Sequence, residues 1–215
     1  MSFAQTFTRY RRAAMYRLLL LNYGRARRWY WELRTPDLHE RWNGENADFP
    51  VLSEVIRAHQ AESVLDLGCG SGRLFPVYEG AALREVLGVD IAARALSLAA
   101  KLHPTIPTLR SRAEDLPLDR PFDLIVVHRV LQHLPPQTLP AVLDRVCRIA
   151  RKAIYINEIG ASDHANLSGA RYMFEHDYAS LFSARGWERA ESGLVPGTRQ
   201  TYVVYAPAAS GGATA

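Results

Sequence analysis

"SVLDLGCGSGRL", residues 63–74, runs a short apolar segment into a turn with glycine at positions 68, 70 and 72. A strand that enters such a turn and then opens a helix is a general way to hold a nucleotide. Glycines accept φ > 0 and admit close backbone approach, and a helix start offers unpaired N–H groups. The spacing decides which nucleotide. A dinucleotide turn needs G-x-G-x-x-G around a pyrophosphate; here the pattern is G-x-G-x-G, and Arg73 stands where the third glycine of that motif belongs. Asp66 precedes the turn, and a carboxylate there suits a cationic ligand better than a pyrophosphate. Downstream, "VLGVDIA" ends a second strand on Asp90, 22 residues after Gly68, where an acid is placed to accept both hydroxyls of a ribose.

The surrounding chain alternates strand-like and helix-like segments, the pattern of a parallel sheet with helices on both faces. Residues 51–58 read as a helix, 63–67 as a strand, 73–79 as a helix and 85–89 as a strand. "IAARALSLAAKLH" is a strong helix former that stops before Pro104. Residues 108–112 read as a short third strand. "FDLIVV", 122–127, is a continuous apolar run suited to a central strand buried on both faces. Leu139, Val142, Leu143, Val146 and Ile149 recur at helical spacing, with Thr138 placed as an N-cap. A fifth strand at 153–159 follows, then a helix at 178–184, and strands at 187–191 and 200–205 close enough together to pair antiparallel.

Composition sets bounds on this reading. The 215 residues are 48% hydrophobic and 22% charged, ordinary for one globular domain with a core. The apolar run Leu18–Leu21 is too short for a bilayer span or a signal peptide, so a cytoplasmic protein without a membrane span is expected. Cys69 and Cys147 suggest no disulfide framework, and the seven histidines show no metal-ligand spacing, so no metal is expected. Residues 1–34 hold eight arginines and one acid, Glu32, interleaved with Tyr and Trp. That basic arm reads as amphipathic helices packed on the domain, as a surface for an anionic substrate, nucleic acid or anionic lipid, or as an Arg-rich organelle targeting peptide. The organisation expected is an arm over 1–50 broken at Gly24, a domain over 51–207 with an irregular insert at 160–175, and a disordered tail over 208–215.

"VLDLGCGSGRL", "VLGVDIA", "AEDLPL" and "FDLIVVHRVLQHLP" together resemble the successive motifs of class I S-adenosylmethionine-dependent methyltransferases, within them the small-molecule branch that shares the signature FDxVxxxxVLxHL. The resemblance covers roughly residues 60–160. It implies a Rossmann-like, doubly wound α/β fold: a mostly parallel seven-stranded sheet whose last strand inserts antiparallel, with the helical arm added. It implies S-adenosylmethionine as cofactor and a small-molecule acceptor, such as a hydroxyl of a sugar or natural-product-like compound. Carried onto matching positions, it gives Gly68 and Gly70, with Gly72 completing the turn, backbone contact to the methionine part, and Asp66 support of the turn and amine. It gives Asp90 the ribose, Ile91 packing on adenine, and the His128 carbonyl the methionine amine. One position departs from the pattern: Arg112 stands where the branch has an aspartate for the adenine amine, which leaves Glu114, Asp115 or the Ala113 backbone to serve.

Methyl transfer needs positioning above all, and a hydroxyl acceptor also needs a base. His133, in the loop after the central strand, is the first candidate, its alternative being a turn cap bonded to a backbone carbonyl. His176 is second, its alternative a helix N-cap shared with Asp177. Glu158 ends the fifth strand, as a base facing the cleft or as a solvent-facing acid. Tyr30, Trp31 and Trp42 are candidates to close over the cofactor. The loop lacks the Asp/Asn-Pro-Pro-Tyr type used on nucleic-acid amino groups, so an RNA acceptor bound by the basic arm is the lesser reading. A non-catalytic member of the fold is a third. Asn166-Leu167-Ser168 fits a glycosylation sequon and is given no role. The oligomeric state is not legible.

Overall fold

The computed structural model describes residues 25–42, 47–159, 174–198 and 200–209. The Gly24 break, residues 160–173 of the insert with its sequon, and the last residues of the tail lie outside them. Seven strands form one sheet in the order β3-β2-β1-β4-β5-β7-β6. They are β1 (Ser63–Leu67), β2 (Glu85–Asp90), β3 (Thr108–Arg110), β4 (Phe122–His128), β5 (Ala150–Ile159), β6 (Trp187–Leu194) and β7 (Gln200–Pro207). β1 to β5 pair in parallel. β7 inserts between β5 and β6, antiparallel to both, as expected. The helices are α1 (Arg25–Trp42), α2 (Asp48–Ala58), α3 (Phe75–Glu79), α4 (Ala93–Leu102), α5 (Leu139–Ile149) and α6 (Tyr178–Ser183).

The apolar run of β4 alternates between two cores from Leu124 onward, and the register shift between Phe122 and Leu124 brings Phe122 to the face of Ile125 and Val127. In β4, Leu124 and Val126 enter the core shared with Leu52, Val55, Phe75 and Leu96 of α2, α3 and α4. Phe122, Ile125 and Val127 enter the opposite core, with Val142, Leu143, Val146 and Phe182 of α5 and α6. A strand covered on both faces has no polar side to show, so "FDLIVV" carries no alternation.

Boundaries differ from the sequence reading where proline and packing decide them. α2 starts at Asp48, with Pro50 in its first turn, and α3 starts at Phe75 with Pro76 following, because proline is tolerated where N–H groups lack partners. Thr138 precedes α5 but is not its cap: its own backbone is helical and its side chain makes no capping bond. Asp177 does cap α6, its Oδ1 accepting the Ser180 N–H at 3.1 Å. The order in which the chain lays down its strands reverses between β1 and β4, which stay parallel, so the loops after these strands splay and leave a crevice at the carboxyl edge. No described helix is long and apolar enough to cross a membrane.

Candidate active site

A cavity of about 640 Å³ occupies that crevice, floored by the glycine turn and roofed by α1. Gly68, Gly70 and Gly72 all have positive φ, +84°, +56° and +83°. A Cβ on Gly68 would lie 2.2 Å from Val130 Cγ2, so the turn after β1 packs directly on the loop after β4. Gly70 faces open space instead, with nothing within 4 Å of an added Cβ.

Asp66 and Asp90 lie beneath the turn and both line the cavity. Asp66 is buried; Tyr78 OH donates to its Oδ2 at 3.2 Å, while Oδ1 has no hydrogen-bond partner. Burial, with the Asp90 charge nearby, pushes its carboxyl up to about 7. Asp90 takes the Gly70 N–H on Oδ2 at 2.9 Å and the Ala92 N–H on Oδ1 at 2.8 Å. Burial raises its carboxyl too, and those amides oppose the rise. Each oxygen keeps a second lone pair for a further donor. Ile91, Ser111 and Ala113 continue the wall.

Glu114 does not line the cavity. Its Oε1 takes Arg112 Nη2 at 2.6 Å, Arg112 Nε at 2.9 Å and Arg27 Nη1 at 3.3 Å. Asp115 is exposed and pairs with Arg112 at 3.2 Å. The arginine that breaks the family pattern therefore takes both acids offered as its replacement, and of the three alternatives only Ala113 stands at the cavity.

The loop after β4 brings His128, Arg129, Gln132 and His133 to the wall. His133 is buried, its ring edge-on to Trp31 at 5.0 Å between centroids and its Nε2 3.4 Å from the Gln132 amide nitrogen. An amide nitrogen only donates, so that contact leaves the lone pair on Nε2. His176 is elsewhere: its Nε2 lies 3.2 Å from the Leu131 carbonyl and 3.0 Å from that of Leu134. Carbonyls only accept, so this nitrogen carries a proton, and the ring braces the His133 turn from outside the cavity. Glu158 is neither a base at the wall nor solvent-facing. It is buried, and its Oε1 accepts the N–H groups of Val130 at 3.0 Å and Leu131 at 2.8 Å. Burial pushes its carboxyl up to about 8 against the pull of those amides.

Sequence reasoning did not find Asp48. This buried acid in the first turn of α2 accepts Asn157 Nδ2 at 2.9 Å and His128 Nε2 at 3.1 Å, and pairs with Arg73. Burial works to raise its carboxyl, but His128, Arg73 and Arg129 hold it below the ordinary value. His128, the residue expected to offer its carbonyl to the methionine amine, thus has its ring fixed and is one of the residues that line the cavity. Nothing in the local sequence marks Asp48, because its three partners come from the glycine turn, β4 and β5.

Glu32, the one acid of residues 1–34, caps a helix of the domain. Ala92 has no side chain to cap α4, and Glu32 of α1 does so across 61 residues, accepting the Ala93 N–H at 2.8 Å and the Arg94 N–H at 2.9 Å. Arg110 joins at 3.0 Å. Burial alone would raise the Glu32 carboxyl, but these amides and Arg110 outweigh it and keep it low. At the other end of α1, His39 Nδ1 lies 3.2 Å from Ser71 Oγ in the glycine turn. Tyr30 and Trp31 line the cavity as expected of a cover, while the side chain of Trp42 lies outside the described residues. Among the described residues no group of acids, histidines or cysteines is arranged to hold a metal, and both cysteines are free.

The family model for a methyltransferase domain matches residues 64–153, the segment that builds this floor and wall. Among curated proteins the chain is 33% identical over 113 residues to malonyl-[acyl-carrier protein] O-methyltransferase of Pectobacterium atrosepticum, a match over 52% of this chain and 42% of that protein. It is 27% identical over 126 residues to ubiquinone biosynthesis O-methyltransferase of Neisseria meningitidis, over 50% and 51%. The chain spans about half the length, or less, of the curated relatives it matches. In fold it is similar to magnesium protoporphyrin IX methyltransferase from Synechocystis PCC 6803 with bound SAH, with a TM-score of 0.68 and 18% identity over 84% of this chain and 98% of that one.

The Glu32 cap ties α1 to the start of α4. Glu32→Ala should cost about 1 kcal/mol of stability, the ordinary worth of a cap. It should also speed limited proteolysis within 25–42; cleavage at the wild-type rate would show that the cap does not hold the arm.

Proposed function

We propose that the protein transfers a methyl group from S-adenosylmethionine to an oxygen of a small-molecule acceptor, with residues 51–207 as the catalytic unit and α1 as its cover. The observation that carries this reading is the pair of carboxyl groups, buried Asp66 and half-buried Asp90, on a cavity floored by an open glycine turn. A buried Asp66 Oδ1 without a partner calls for a donor, and the α-amino group of the cofactor is such a donor. Asp90 is placed for the ribose hydroxyls, Ile91 and the Ala113 backbone for adenine, and the Gly68, Gly70 and His128 backbone for the methionine end. When bound, S-adenosylmethionine supplies an electrophilic methyl group on a sulfonium. The chain's own residues orient the acceptor, exclude water beneath α1 and accept its proton. Among the described wall residues His133 is the candidate for that proton, since His176 and Glu158 are engaged elsewhere.

The decisive measurement is calorimetric titration with S-adenosylhomocysteine, with NADH as control. Binding of the first alone is expected, weakened about a hundredfold or more in Asp90→Ala, which loses charge-assisted bonds to two hydroxyls. Absence of binding by the wild type would sink the reading.

Proton linkage supplies a second test. The free Asp66 carboxyl holds its proton below about pH 7. A cationic amine binds the ionised form, so the proton must leave on binding below that pH. Affinity for S-adenosylhomocysteine should therefore rise by up to about tenfold per pH unit toward neutrality and level off above it. Asp66→Asn should be weaker and flat between pH 6 and 8; a flat wild-type profile would contradict the assignment.

His133→Asn should keep S-adenosylhomocysteine affinity and lower kcat about a hundredfold or more on a hydroxyl acceptor, the range of general-base removal. An unchanged kcat would return His133 to a purely packing role against Trp31.

A further inference from the structure

The two sides of α1 meet different surroundings. Arg27, Tyr30, Trp31 and Arg34 line the cavity, and Arg27 and Tyr30 are buried. Trp29 and Leu33 take no part in that lining. They are 55% and 49% exposed, and four residues apart they stand one above the other on the outer edge of the helix. Four large apolar side chains are exposed among the described residues, and two of them form this pair. Scattered apolar side chains are ordinary on a protein surface; two in register beside a charge cluster are not.

Glu32, next to Leu33, locates that cluster. Its carboxylate takes the Ala93 and Arg94 N–H groups and Arg110 Nη2 at 3.0 Å, and Arg28, one turn earlier on α1, adds its charge to the same carboxylate's surroundings. Arg28, Arg94 and Arg110 are all exposed. Three arginines therefore gather around one acid at the edge that shows Trp29 and Leu33. Residues 1–24, which lead into α1, add four arginines and no acid to the sequence at this end of the chain.

The occupant must answer both the cations and the apolar pair. Two side chains on one helix edge fall well short of the roughly 800 Å² per partner of a stable protein interface. A nucleic acid would answer the arginines and could stack on Trp29, but it would leave Leu33 in water. A lipid surface asks for a few apolar side chains seated among headgroups, a place that suits Trp, with arginines drawn to anionic lipid around them.

We propose that the outer edge of α1 is a docking surface for an anionic lipid membrane, with Trp29 and Leu33 seated among the headgroups and Arg28 and Arg94 against their phosphates. The contact is peripheral, and it does not depend on the methyl-transfer reading. It sets the cover of the cavity on the membrane itself, Tyr30 and Trp31 facing inward and Trp29 and Leu33 facing lipid.

The test is sedimentation of the full chain with vesicles of phosphatidylcholine alone and of phosphatidylcholine with about a third phosphatidylglycerol. Binding to the anionic vesicles should be about tenfold or more tighter than to the neutral ones, and should weaken as salt is raised. Trp29→Ser combined with Leu33→Ser should weaken it about tenfold or more, and Arg28→Gln combined with Arg94→Gln by a similar factor. All four positions are exposed, so far-ultraviolet circular dichroism of both variants should match the wild type. Lipid brominated near its headgroup should quench tryptophan emission, and Trp29→Phe should lose the larger part of that quenching. Equal binding to both vesicles, or none, would overturn the proposal. Binding that the Trp29 and Leu33 variant leaves unchanged would place the contact elsewhere on the chain and overturn it as well. A dimer in sedimentation velocity that this variant dissolves would give the edge to a second copy instead.

Discussion

Two backbone amides, from Gly70 after β1 and Ala92 after β2, close on one carboxylate, that of Asp90. Parallel strands end with amides that the next residue in sequence cannot satisfy, and at the crevice between β1 and β4 the loops diverge, so the problem is most acute there. One half-buried acid on the second strand ties its own loop to the glycine turn and fixes the direction in which both point. The spaces on either side then become a floor rather than a gap. Gly68 completes the lock from the other flank, since its missing side chain lets Val130 seat against the turn. Asp66, one strand over, shares the burial without the amides, which is why one of its oxygens has no partner within the chain.

The same logic, polar ends answered by residues from distant segments, builds the rest of the site. α4 begins at an alanine and is capped by Glu32 from the arm. The His133 turn begins at Val130, and its first amides are answered by Glu158 from β5. α1 is held by point contacts at Ala93, Glu114, His133 and Ser71 more than by an apolar stripe, and Thr35 bonds back to the Trp31 carbonyl just before Pro36. A helix held at its ends in this way can cover a cavity without burying its whole length, because the capping bonds supply what the broad apolar face of an ordinary surface helix would.

Much of this was legible in advance. The runs at 63–67 and 122–127 read as buried strands because a strand covered on both faces has no polar side to show. Asp66 and Asp90 were legible because each stands at the end of an apolar strand, where an acid has no reason to be unless something answers it. The resemblance of the motifs supplied the antiparallel insertion of β7, which a close pair of strands alone did not specify. Where the reading failed, the cause was the reach of long side chains. Arg112 swings onto Glu114 and Asp115 and takes both from the cavity. His176 turns to two carbonyls, and Thr138, with the right identity for a cap, has the wrong backbone angles for one.

The sequence by itself determined the alternation of elements, the sheet they form, the glycine turn and the two acids beneath it. These depend on periodicity, on φ and on the ends of strands, all set within about ten residues. Only the tertiary structure decided what meets the turn: Asp48 joining Arg73, His128 and Asn157; Glu32 capping a helix 61 residues away; Arg129 held at positive φ on the wall. Charged side chains choose partners by three-dimensional distance, and a buried acid pays for its desolvation with whichever donors the folded chain brings near, wherever they lie in the sequence.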